Sequence, residues 1–127
     1  MIRKISPLSV DETLTRLAAI VEEKGATVFA RINHTAGAAK IGSELRPTEL
    51  LVFGNPAVGT PVMLDAQEAG LDLPLRVLCY EDETGTVRLV WHNPSDMAAS
   101  HGLDADHPAI AKISGVLDAL TDAAIRN

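Results

Sequence analysis

An α+β domain is what this sequence predicts: two layers, with a mainly antiparallel five-stranded sheet packed on two long helices and short helical insertions between the strands. Three observations predict it. Long apolar stripes at helical spacing occur near the two ends of the chain. Segments with strand-like patterning follow one another between those helices. The insertions separating the strands are short and broken by Gly and Pro, so strands cluster instead of alternating with helices as a doubly wound parallel sheet requires.

Ile2 to Ile5 forms a short first strand. Ser9-Val10-Asp11-Glu12 then has capping-box spacing, a hydroxyl for the third amide and a glutamate reaching back. The helix that starts there carries Val10, Leu14, Leu17 and Val21 on one face, and Gly25 supplies the left-handed residue that ends it. Thr27 to Asn33 alternates as a half-buried strand does, with Val28, Ala30 and Ile32 on one side and Phe29 and Arg31 on the other. Ala36 to Lys40 makes a short helix, and Pro47 delays the third strand to Thr48 through Phe53. Gly54-Asn55-Pro56 breaks that strand and starts a helix, because Asn accepts amide hydrogen bonds at the cap and Pro tolerates the first helical position. Pro61 makes its first turn irregular or moves the start to about Thr60, with the end near Ala69. Leu75 to Tyr80 and Thr86 to His92 are strands joined by Glu81-Asp82-Glu83-Thr84-Gly85, a polar connection of hairpin length. Asn93-Pro94 repeats the cap chemistry and opens a short helix to about His101. The last helix follows Asp106 or His107 and Pro108, with Ile110, Ile113, Leu117, Leu120 and Ala124 on one face.

One face of the sheet then packs on the two long helices and buries Leu14, Leu17, Val21, Ile113, Leu117 and Leu120. Phe29, Leu51, Phe53, Leu78, Tyr80 and Val90 are assigned to the opposite face, an apolar patch larger than a monomer ordinarily exposes. A homodimer is its simplest cover.

The 127 residues are 46% apolar and show no repeat or linker, so residues 1–127 are read as a single domain. A chain of this length needs neither disulfides nor a structural metal to fold, and the single Cys79 has no partner within it. Eleven Lys and Arg against seventeen Asp and Glu give a net charge of −6, which argues against nucleic acid or an anionic membrane as the main partner. Ser6 and Pro7 interrupt the apolar run a signal peptide would need, and no stretch approaches the length of a membrane span. The expected location is cytoplasmic.

Two polar constellations emerge. Asn55-Pro56 and Asn93-Pro94 each follow a strand and open a helix, so each presents helix amides at a strand end. If the second to fifth strands form a meander, the third and fifth run the same way and both turns arrive at one end of the sheet, where the fourth strand begins and brings Asp72, Pro74 and Arg76 towards them. Asn55, Arg76, His92 and Asn93 are therefore the candidate site for a carboxylate or phosphate. Simple capping accounts for each Asn-Pro pair without any ligand. His34, Glu44 and Arg46, at the other end of the sheet, form the alternative: an imidazole beside a carboxylate can act as a general base, with no identifiable nucleophile or oxyanion donor nearby. Cys79 reads as a small buried residue. His92, His101 and His107 make no local ligand pair, so neither a metal nor a cofactor is expected.

The ordered set Glu44-Leu45-Arg46-Pro47-Thr48-Glu49-Leu50, Gly54-Asn55-Pro56 with Gly59-Thr60-Pro61, Gly70-Leu71-Asp72-Leu73-Pro74-Leu75-Arg76-Val77-Leu78, and Asn93-Pro94 with His101-Gly102-Leu103 spans nearly the whole chain. It resembles the bacterial and archaeal domain-of-unknown-function family numbered three hundred and two. The resemblance implies an α+β domain with an antiparallel sheet, similar in outline to the TATA-binding-protein-like fold, and a homodimer. It implies no activity and brings no catalytic residues. The leading expectation is a non-catalytic homodimeric binding module for a small anionic ligand or a partner's acidic group. A small hydrolase or isomerase using His34 with Glu44 is the alternative, and a purely structural assembly domain the third.

Overall fold

Side-chain caps fix where the helices begin. Ser9 Oγ accepts from the Glu12 amide at 3.1 Å, and Asn55 and Asn93 accept from the amides of Ala57 and Ser95 at 3.0 and 3.1 Å. Asn33 does the same for Ala36 at 3.0 Å, which starts the short second helix at His34, two residues before the position expected from the sequence. His107, not Asp106, caps the last helix, its Nδ1 accepting from the Ala109 amide at 3.1 Å.

The computed structural model describes residues 1–126. In chain order its elements are β1 (Ile2–Ser6), α1 (Val10–Glu23), β2 (Thr27–Asn33), α2 (His34–Lys40), β3 (Thr48–Gly54), α3 (Pro56–Asp65), a 3-10 helix (Gln67–Asp72), β4 (Leu75–Glu81), β5 (Val87–Trp91), α4 (Pro94–Ser100) and α5 (Pro108–Ile125). The five strands form one sheet in the order β1-β5-β4-β3-β2, with every neighbouring pair antiparallel. This is the two-layer α+β architecture with α1 and α5 as its long helices. Pro61 sits inside α3 without displacing its start, and the segment to Asp72 splits into a helix and a separate 3-10 turn instead of one helix ending near Ala69.

Register decides which side chains meet the helices. Leu51 stands opposite Val77, Phe53 opposite Leu75, and Cys79 opposite Leu89, so these residues share the helix-facing side. Leu51 and Phe53 are buried there with Leu14, Leu17, Val21, Ile113, Leu117 and Leu120. Leu51 and Phe53 thus lie against the helices and not on the opposite face that the sequence predicts for them, because strand pairing sets the side. Leu78, Tyr80 and Val90 do lie on that uncovered face, beside Leu50 and Val52. Alternation in β2 is also interrupted. Phe29 is skipped between the pairs Val28–Phe53 and Ala30–Val52, a bulge that moves Arg31 to the helix side with Val28 and puts Ala30 and Ile32 on the other. Arg31 there reaches Asp11 and Thr15 of α1 and Glu49 of β3, clipping the outer strand to the helix layer.

At the opposite edge, Lys4 contacts Asp118 and Asp122 of α5 at 2.8 and 2.7 Å. Burial lowers the affinity of its amine for a proton, but the two carboxylates outweigh that and hold its pKa above the ordinary value. Ser6 and Thr13, both buried, join β1 to α1 through hydroxyls 2.6 Å apart. In the β4–β5 connection, Asp82 accepts from the Thr84 hydroxyl at 2.6 Å, from the amides of Thr84 and Thr86, and from Arg88 Nε at 3.0 Å. The Thr84 hydroxyl first, then Arg88 and the two amides, hold this carboxyl well below the usual range. Gly85, at φ 82°, takes the left-handed position of the turn.

Candidate functional site

β3 and β5 both run antiparallel to β4, so they point the same way and both Asn-Pro turns lie at one end of the sheet, on either side of the start of β4. The approach between β3 and β4 is close at this end. A Cβ added to Gly54 would lie 3.3 Å from Cβ of Pro74 and 3.6 Å from the ring of Phe29. The Leu73–Pro74 peptide is cis.

Two hollows open there. The larger, about 400 Å³, is walled by Phe29, Gly54, Asn55, Met63, Leu73 and Pro74 among others. The smaller, about 230 Å³, contains Arg76, His92, Asn93, Asp72 and Asp96 in its wall. Leu75 and Ile113 line both and divide one from the other. The structure therefore groups Arg76, His92 and Asn93, and places Asn55 across the partition. Arg76 and His92 also border a third hollow of about 170 Å³ on the uncovered sheet face, with Leu50, Leu78 and Val90.

The helix amides that made the Asn-Pro turns attractive are already occupied. Asn55 caps Ala57 with its side chain and takes the amides of Val58 and Gly59 on its carbonyl; Asn93 does likewise for Ser95 and Asp96. Binding capacity in the smaller hollow thus rests on side chains. Arg76 is exposed and forms no ion pair among the described residues. Asp72 is bound to His101, Oδ2 to Nε2 at 2.6 Å, which leaves Asp96 as the open carboxylate.

There is a second pair of the same kind, His107 Nε2 to Asp65 Oδ2 at 2.6 Å. Because Nδ1 of His107 accepts a helix amide, a neutral ring carries its proton on Nε2 and donates it to Asp65. Together the pairs tie the last residue of α3 and the 3-10 helix after it to the segment between α4 and α5. Sequence reasoning missed both, since each partner lies 29 or 42 residues from its histidine; only the cap position before Pro108 hinted at His107.

His34 opens α2, while Glu44 and Arg46 lie in the loop before β3, and all three side chains are exposed. No hydrogen bond joins His34 to Glu44 among the described residues. Thr35 makes the local connection instead, donating to the Arg46 carbonyl at 2.9 Å and accepting from the Thr48 amide at 2.8 Å. Cys79 is fully buried, and desolvation, opposed by Thr13, pushes its thiol up to about 12, which keeps it protonated and unreactive. Among the described residues no three His, Cys, Asp or Glu side chains are placed to hold a metal ion, and no helix is long and apolar enough to cross a membrane.

These features define an α+β domain whose polar and apolar hollows adjoin at one end of an antiparallel sheet. The chain belongs to the family described as domain of unknown function DUF302, whose model matches residues 2–120. It is similar to the crystal structure of an uncharacterized conserved DUF302 protein from Bacillus stearothermophilus, with a TM-score of 0.76 and 19% identity, over 98% of this chain and 94% of that one. It is also 45% identical over 109 residues to proteins named fluoride-specific ion channel FluC 1 in Brucella suis biovar 1 (strain 1330) and Brucella abortus biovar 1 (strain 9-941). The matches cover 84% of this chain and 43% and 40% of those proteins, so the chain spans about two fifths of the length of these curated relatives.

Proposed function

We propose that this chain is a non-catalytic binding domain that holds a small anion, or the acidic group of a partner, in the hollow lined by Arg76, His92 and Asn93. The observation that carries the reading is the Arg76 guanidinium, which stands in the wall of that hollow without a carboxylate partner among the described residues. Arg forms strong charge-assisted hydrogen bonds to carboxylate and phosphate, and His92 and the Asn93 carboxamide supply further donors beside it. Asp96 in the same wall favours ligands that also carry a hydrogen-bond donor. Asn55, behind Leu75 and Ile113, takes no part in this site.

The Brucella relatives favour a setting for this activity. They bear the name of a fluoride channel and continue well beyond the matched region, which suits a domain that binds an anion alongside a transport protein. Thermal-shift and calorimetric titrations with acetate, phosphate and fluoride test the reading. At least one is expected to stabilise the wild type, and Arg76→Ala is expected to weaken it at least tenfold, about 1.4 kcal/mol, while the unliganded melting temperature stays unchanged. If none of the three anions shifts the wild type, or Arg76→Ala binds as well, the reading fails.

A homodimer belongs to the same proposal. Exposed Ile32 and half-buried Leu50 and Leu78 stand side by side on the sheet face that no helix covers, and a second copy of the chain would remove them from water. Sedimentation is expected to give a dimer at micromolar concentration, and Leu78→Arg a monomer; a wild-type monomer would end this part of the proposal.

A further inference from the structure

The larger hollow is chemically unlike its neighbour, and its wall specifies a different ligand. Of the residues around its roughly 400 Å³, only Asn55 and Thr60 carry polar side chains, and none carries a charge. That volume lies within the range of pockets that enclose small organic molecules, where a mostly apolar lining contributes affinity and one or two polar groups set orientation.

Asn55 can supply such a polar group. Its side-chain oxygen must be the atom facing the Ala57 amide, since only an acceptor can meet that N–H at 3.0 Å. The carboxamide NH2 is therefore left over, and it has no acceptor among the described residues. Three glycines keep the space open. A Cβ on Gly70 would come 3.2 Å from Sδ of Met63, and one on Gly59 would meet Cδ1 of Leu73 at 3.5 Å and Cε of Met63 at 3.8 Å, all side chains of the same wall.

We infer that this hollow is a second binding site, for an uncharged small molecule with an apolar body and one carbonyl-type acceptor that takes the Asn55 amide hydrogens. It is independent of the Arg76 site, from which Leu75 and Ile113 separate it. Acetophenone, with a ring and one carbonyl, and ethylbenzene, the same shape without the acceptor, are suitable probes. They are titrated into the full chain while ¹H–¹⁵N spectra are recorded in the absence of added anions.

Saturable shifts centred on the amides of Gly54, Gly59 and Gly70 are expected, with acetophenone the tighter ligand. Asn55→Asp keeps the helix cap but removes the NH2 donors, so it should weaken acetophenone at least tenfold and ethylbenzene much less. Gly59→Leu, inside α3 and at a backbone conformation open to any residue, should abolish binding of both probes without lowering the melting temperature. Binding that does not saturate, shifts centred elsewhere in the wild type, or binding that survives Gly59→Leu overturns the site. Equal effects of Asn55→Asp on both probes overturn the role of the acceptor. Neither probe carries charge, so failure here is distinct from failure at Arg76.

Discussion

Phe53→Ala is expected to destabilise the fold by about 3–5 kcal/mol, whereas Phe29→Ala, at the only other phenylalanine, should cost no more than about 1 kcal/mol. Both residues lie in strands and a hydropathy profile treats them alike. The structure separates them: Phe53 is 1% exposed on the helix-facing side of β3, and Phe29 is 58% exposed at the bulge in β2. Truncating Phe53 removes a ring packed among Leu51, Val28 and Leu75 and leaves a cavity that neighbouring rigid strands can close only in part. Truncating Phe29 removes a side chain that water already reaches. Urea unfolding measures both, the loss appearing as a lower midpoint with an unchanged slope. A cost for Phe53→Ala below about 1 kcal/mol would show that β3 presents its other face to the helices.

The contrast also marks where sequence reasoning stops. The caps at Ser9, Asn55 and Asn93, the apolar stripes of α1 and α5, and the hairpin around Asp82 are local, and local spacing suffices to recognise them. The face of β3 is not local. Thr48 to Gly54 contains Leu50, Leu51, Val52 and Phe53 in succession, so both sides of the strand are apolar and alternation carries no sign. Only pairing with Val77 and Leu75 settles it. The bulge at Phe29 is hidden for the same reason, because one skipped residue reverses every side chain after it without altering composition.

The candidate site divides along the same line. That Asn55, Arg76 and Asn93 come to one end of the sheet follows from a meander of strands, which the sequence offers only as a condition and the strand order β5-β4-β3-β2 supplies. Whether they share a hollow depends on Leu75 and Ile113, one from a strand and one from a helix 38 positions later, whose side chains stand between them. The His101–Asp72 and His107–Asp65 pairs likewise join helix ends that have no pattern relating them in the chain.

Leu17→Ala carries the second large effect, about 2–5 kcal/mol, and is expected in the upper half of that range. Alanine is the better helix former, so α1 itself loses nothing and the whole cost is packing. Leu17 has no exposed surface and lies midway between Leu14 and Val21 on the stripe that meets the sheet on one side and α5 on the other. Neighbours on both sides leave little freedom to collapse into the space. Against a net stability of about 5–15 kcal/mol, typical of such domains, the loss would lower the urea midpoint by a large fraction. Leu64→Ala is the control of equal chemistry: it lies in α3 at 79% exposure and should change stability by no more than about 0.5 kcal/mol. Similar small effects at both positions would mean that α1 is not seated in the groove between α5 and the sheet, and the helix layer on which the site's partition residue Ile113 depends would need to be redrawn.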